Sequence, residues 1–159
     1  MLFFGVNAEG MGHATRALPV IKGLERHYEV HVFCGRRVHA SLSRHLEHVH
    51  PVWDVRLVYR GNRVLIGPTL LVNLRTWATC LLDGLGVFLR MLAWRPVAVI
   101  TDYEPLVAWA GTFAFRKIIT LDNQHLGTFA ELPMPAGRSL RMARWAMLAA
   151  TFFNHLHRH

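Results

Sequence analysis

The sequence predicts an α/β domain with a doubly wound, largely parallel sheet of Rossmann-like type. Three observations carry that prediction. Short continuous apolar runs, among them Leu2 to Val6 and Val97 to Thr101, read as strands buried on both faces. Stretches with apolar residues at helical spacing separate them. Polar clusters then follow three of the strands: Asn7 to His13, Asp102 to Glu104, and Asp122 to His125. In a doubly wound sheet the carboxyl ends of the strands share one edge, and ligands bind there.

Taken in order, Leu2 to Val6 is the first strand, and Ala14 to Arg26 the first helix, with Ala17, Leu18, Ile21 and Leu24 on one face. Tyr28 to Cys34 is the second strand. Gly35 ends it, and Arg36 to Leu46 forms a short basic helix. A third strand is expected within Val49 to Tyr59, split by Pro51, and Arg60 to Arg63 reads as a turn. Gly67-Pro68-Thr69 introduces a long helical stretch, Leu70 to Trp94. Gly84 and Gly86 are its expected breaks, because each glycine costs a helix about 1 kcal/mol. Val97 to Thr101 is a strand, Leu106 to Phe115 a helix with Pro105 in its first turn, and Lys117 to Leu121 the next strand. Pro133 to Gly137 is a loop and Ser139 to His155 a final helix.

A chain of 159 residues is one domain, long enough for a substantial core. A 52% hydrophobic and 18% charged composition excludes a disordered chain. The net charge of +8 favours anionic partners: nucleic acid, acidic lipid surfaces or phosphorylated ligands. No nucleic-acid module or stacking motif is recognisable, so nucleic acid is not an expected partner. Cys34 and Cys80 lack metal spacing and read as reduced core thiols of a cytoplasmic protein. No signal peptide is expected. Arg75, Asp83 and Arg90 interrupt the most apolar stretch, so a spanning helix is not expected either.

The run Asn7-Ala8-Glu9-Gly10-Met11-Gly12-His13-Ala14-Thr15-Arg16 holds most of the chemistry. A strand, a glycine turn and a helix start gather backbone N–H groups at the positive end of a helix dipole, a place for an anion. His13 adds a group that exchanges a proton near neutral pH. A dinucleotide fingerprint would end in glycine or another small residue, and Thr15 stands there instead. No acidic residue ends strand two, although Arg36 and Arg37 are suited to a 2′-phosphate, which keeps an NADP reading as a minor alternative.

The stretch from Gly5 to Arg16 resembles the opening of nucleotide-sugar glycosyltransferases of the GT-B fold. It is most similar to the branch related to the transferase that adds N-acetylglucosamine to the peptidoglycan lipid intermediate. Thr101-Asp102-Tyr103-Glu104-Pro105 and Leu121-Asp122-Asn123-Gln124-His125 resemble the same branch, so the likeness spans about residues 2 to 126. Alanine stands at position 8, where the family usually has glycine, which predicts a tighter or shifted turn.

The resemblance implies an inverting, metal-independent hexosyl transfer from a nucleotide sugar, a UDP-sugar above all, to a hydroxyl acceptor, with no cofactor. It implies that this chain is the acceptor-side, amino-terminal half of the fold. The donor-binding domain would then be missing from a fragment, or supplied by a partner in cis or trans. His13 is the leading base, against a merely capping histidine. Asp102 is an alternative base or an acceptor ligand. Glu104, before Pro105, suits a helix cap as well as substrate. Gly10, Met11, Gly12, Thr15 and Arg16 become substrate contacts, the glycine amides facing phosphates or the reacting centre. Asn123, Gln124 and His125 would line the cleft, against a self-bonded turn.

His31, His39, His45, His48 and His50 lack ligand spacing and read as surface or core residues, and the terminal histidines are assigned no role. Arg138, Arg141 and Arg144 with Trp145, and Arg75 and Arg90 among leucines, suit either docking on an anionic membrane, where a lipid-linked acceptor would lie, or packing on a core or second domain. A membrane role would place the protein peripherally on the inner face. A non-catalytic basic module binding a phosphorylated ligand or a membrane is the rival of the enzyme reading.

Overall fold

The computed structural model describes residues 1–61 and 63–121. Asn123, Gln124, His125 and the expected final helix lie outside the described residues. Five parallel strands form the main sheet: β1 (Leu2–Val6), β2 (Val30–Gly35), β3 (Val49–Val52), β6 (Ala98–Asp102) and β7 (Ile118–Thr120), in the spatial order β3-β2-β1-β6-β7. Strands β4 (Tyr59–Arg60) and β5 (Arg63–Val64) form a separate antiparallel hairpin. The helices are α1 (Met11–Glu25), α2 (Arg36–Leu42), α3 (Ile66–Arg75), α4 (Trp77–Trp94) and α5 (Pro105–Phe113).

Strand alternation divides the core. Leu2, Phe4 and Val6 join Val30, Val32 and Cys34 on one face, beneath Ala14, Ala17 and Ile21 of α1 and Val38 and Leu42 of α2. Phe3, Phe33 and Val99 point the other way, onto Val87 and Met91 of α4 and Val107 and Ala110 of α5. Both faces are covered, which is why these strands read as continuous apolar runs. The expected Rossmann-like α/β architecture is the observed one. From β1 the sheet grows one way through β2 and β3, and the other way through β6. The two central strands, in register Val6 opposite Asp102, flank the switch point.

Three local expectations are corrected. Strand three is only Val49–Val52, with Pro51 inside it opposite Cys34. It lies at the sheet edge, where a missing N–H is tolerated. The long helix breaks at Thr76, not at Gly84 or Gly86. Both glycines stay inside α4, and at Gly84 an added methyl would lie 3.5 Å from Leu106, so the bare backbone brings α4 close to α5. Thr76 sits at φ −105° and ψ 9°, donates to Asn73 O at 3.1 Å and accepts from Trp53 Nε1 at 2.7 Å. The basic helix stops at Leu42, four residues early. By length and composition alone, α4 is long and apolar enough to cross a membrane (mean hydropathy 1.3). It nevertheless packs into this domain through Val87 and Met91.

Candidate active site at the switch point

Gly10 and Gly12 do different work. Gly10, at φ 79°, occupies the left-handed backbone that starts α1. Gly12 has open space where a side chain would point. No side chain caps α1 and no acidic residue lies in its first turn, so the helix start keeps its positive character. Ala8 is not at positive φ. It is buried against Gly35, where an added methyl would lie 2.3 Å from the Ala8 Cβ. The turn residue at positive φ is therefore Gly10, which adopts that backbone without steric cost. Asn7 braces the loop: its Oδ1 accepts from Glu9 N at 2.6 Å, and its Nδ2 donates to Tyr103 O at 2.7 Å across the switch point.

That bridge brings the loop after β1 against the loop after β6. His13 Nδ1 lies 3.0 Å from Asp102 Oδ1. Arg16, one turn along α1, donates through Nη2 to the same oxygen. Asp102 is fully buried, and its other oxygen, Oδ2, has no partner among the described residues. Such an unsatisfied buried atom costs about 1–3 kcal/mol and is concentrated at functional sites. An ionised carboxylate only accepts, so in this contact Nδ1 carries the imidazole proton and Nε2 keeps the lone pair. Arg16 Nη2 also lies 3.3 Å from His13 Nδ1, but both are donors there and meet through the shared oxygen.

The remaining candidates separate. Thr15 Oγ1 donates to Met11 O at 2.9 Å, within its own helix, and Met11 is exposed. Glu104 is buried, with Oε1 accepting from Leu106 N at 3.1 Å and Oε2 from Val107 N at 2.7 Å, as the cap of α5. Gly5 in β1 makes room for it, since a methyl there would stand 3.0 Å from its Cβ. Burial pushes the Glu104 carboxyl up to about 7, against the two amide bonds. Burial pushes the Cys34 thiol up to about 12, which removes it as a nucleophile. Among the described residues no group of three or more His, Cys, Asp and Glu side chains is placed to hold a metal ion.

One residue of the glycine turn had no role from the sequence alone: Glu9. Its Oε1 accepts from Tyr59 Oη at 2.9 Å, and its Oε2 pairs with Arg37 Nη2 at 3.4 Å. It ties the glycine loop to the β4–β5 hairpin and to the first turn of α2. Its place inside the glycine turn was the only sequence signal.

No curated protein matches this sequence. Among solved structures, MurG of Acinetobacter baumannii is similar, with a TM-score of 0.51 and 15% identity over 90% of this chain. The matched part is 38% of that chain, so the present sequence spans well under half its length, and the likeness speaks for the fold of the amino-terminal half of a GT-B protein. The model of glycosyl transferase family 1 matches residues 1–151, and the chain belongs to that family.

Proposed function

We propose that this chain is the acceptor-side half of an inverting nucleotide-sugar glycosyltransferase. The observation that carries the proposal is the 3.0 Å contact between His13 Nδ1 and buried Asp102, which leaves Nε2 as a base at the ligand edge of the sheet. In the proposed step His13 Nε2 takes the proton of the acceptor hydroxyl. The hydroxyl oxygen forms a bond to the anomeric carbon of the sugar, and the bond from that carbon to the diphosphate oxygen breaks. UDP leaves with the electron pair, and the start of α1 faces its negative charge. A donor-binding domain, in cis or in trans, supplies the nucleotide site. The test is hexose transfer from UDP-sugars to hydroxyl acceptors, lipid-linked ones included, with the chain joined to a GT-B donor-binding domain. Loss of about 100-fold or more on His13→Ala supports the base assignment. Unchanged turnover rules it out.

A second reading has its own observation. Leu70, Leu71 and Leu74 of α3 and Leu81, Leu82, Leu85 and Leu89 of α4 are all exposed, on helices that also carry Arg75 and Arg90. This surface suits the inner, anionic face of a membrane, on which the helices would lie with leucines inserted and arginines at the headgroups. It supports peripheral membrane residence for the enzyme and equally for a non-catalytic module. Flotation with vesicles containing anionic lipid, over a salt series, checks it. Binding that weakens with salt and is lost in Leu70→Asp/Leu74→Asp supports the reading, and absence of flotation refutes it.

A further inference from the structure

Arg16 lies one turn beyond His13 on α1, and the two side chains meet at one atom. His13 Nδ1 stands 3.0 Å from Asp102 Oδ1, Arg16 Nη2 donates to the same oxygen, and Nη2 lies 3.3 Å from Nδ1. Residues three apart on a helix are surface neighbours, so α1 brings both donors to the end of β6 together. The Asp102 side chain is fully buried, that of His13 is 13% exposed and that of Arg16 39%. Arg16 is thus the member of the three that reaches solvent.

The ion pair is end-on. A guanidinium can grip both oxygens of a carboxylate with its fork. Here one nitrogen bonds one oxygen, while Arg16 Nε and Asp102 Oδ2 are both buried without a partner among the described residues. The oxygen that Arg16 takes is the one His13 uses, which sets the positive charge directly against the imidazole. Charged groups on the neighbouring elements are engaged elsewhere. Glu9 pairs with Tyr59 and Arg37, Arg36 with Asp83, and Arg37 also with Asp54. Both oxygens of Glu104 accept amides of α5, and His31 of β2 bonds Glu29 and His50. Cys34, beneath α1, is pushed up to about 12 by burial and keeps its proton.

The charges decide what this arrangement does. A buried carboxylate without a cation gathers a proton, on itself or on a base bonded to it. Asp102 with a neutral His13 carries a single negative charge, and one proton would cancel it. A guanidinium stays charged at any physiological pH. With Arg16 present the three groups are already neutral together, and a further proton would leave a net positive charge in a partly buried place. Arg16 opposes protonation of His13 and of Asp102 alike, so the sign of its effect is the same whichever of the two holds the proton.

We propose that Arg16 is a positioning residue that keeps His13 uncharged near neutral pH, by neutralising the carboxylate to which the imidazole is bonded. The sequence pattern cast Arg16 as a substrate contact; in the structure its charge is committed to Asp102. The charge arrangement stands on geometry, and its value for catalysis rests on the transferase reading above: an imidazole already protonated cannot take the acceptor's proton.

The test is a pH titration of the His13 imidazole by NMR in the full 159-residue chain, with His13 identified among the eleven histidines by the signal absent from His13→Gln. Arg16→Met removes the charge and is expected to raise the titration midpoint by about one pH unit. Partial exposure of Arg16 keeps the shift from being larger. Arg16→Gln, which can still donate to Asp102, is expected to raise it as much, and Arg16→Lys to return it most of the way to the native value. Arg16 is no part of either core cluster, so these replacements keep the fold. A midpoint unmoved in Arg16→Met and Arg16→Gln overturns the proposal. A shift in Arg16→Met that is absent in Arg16→Gln also overturns it, because the hydrogen bond and not the charge would then be the lever. With a donor-binding domain joined, the acid limb of the kcat/KM profile is expected to move with the midpoint. A midpoint that moves while the joined protein transfers no sugar supports the role of Arg16 and sinks the transferase reading. Transfer that requires His13, with an unmoved midpoint, does the reverse.

Discussion

His13 and Asp102 stand 89 residues apart in the chain, yet share a 3.0 Å hydrogen bond because β1 and β6 are neighbours in register. Asp102→Asn tests what the bond does. An amide of the same shape can donate to Nδ1 and so favour the tautomer with the proton on Nε2, which cannot act as base. Transfer is expected to fall about 100-fold or more in kcat with little change in KM, measured by steady-state kinetics with the donor-binding domain present. Equal loss in KM alone would make Asp102 an acceptor ligand.

The glycines are expected to separate stability from activity. Gly10→Ala places a side chain at φ 79° and is expected to cost about 1–2 kcal/mol. Gly35→Ala drives a methyl against Ala8 and Asp54 and is expected to cost at least as much. Gly12→Ala meets open space in a helix and is expected to stabilise by about 0.5–1 kcal/mol while lowering transfer, because the methyl stands beside the helix start. Urea unfolding read beside transfer assays distinguishes the three.

Glu104 gives a pH dependence with a definite sign. Its folded pKa, about 7, lies above the ordinary 4.5. The folded chain therefore holds a proton that the unfolded chain releases between those values. The contribution to stability is complete below pH 4.5 and is lost as pH rises through 7. Glu104→Gln is expected to flatten this slope, measured as unfolding free energy at pH 5 and pH 7.5. An unchanged slope would mean that the carboxyl is ionised throughout.

His50 works in the opposite direction. It lies 3.0 Å from His31 Nδ1 through Nε2, with His31 also bonded to Glu29 and the rings of His48 and Trp94 close by. Burial, then the positive potential of His31, Arg90, His48 and His39, pushes His50 down to about 4. The stability it confers is present above pH 6.5 and is lost as pH falls toward 4. His50→Gln is expected to resist acid unfolding in that window better than the native chain, read by circular dichroism.

The sheet was legible because both of its faces are covered, which leaves uninterrupted apolar runs such as Leu2 to Val6 in the sequence. His13 and Asp102 were each legible as polar residues at strand ends. Their pairing was not, since it depends on which strands are neighbours. The Glu104 cap was foreshadowed by the proline that follows it. The break at Thr76 was hidden: local glycine cost pointed to Gly84 and Gly86, and packing against α5 outweighed it. The concavity lined by Arg36, Arg37, Trp53, Asp54 and Arg56 was hidden too, because these residues come together only through β3 and the α3–α4 joint, and two of the arginines had suggested a 2′-phosphate.

Tyr103 holds φ 59° between two acids. This one left-handed residue sends Asp102 across to His13 and lets Glu104 turn down onto the amides of α5. Neighbouring carboxyl groups are thereby given different partners, one the imidazole of His13 and the other the backbone amides of α5. A β-branched residue at 103 would press the backbone toward negative φ and blur that division of labour. The contact between His13 and Asp102 would then be lost through a position that takes no part in it.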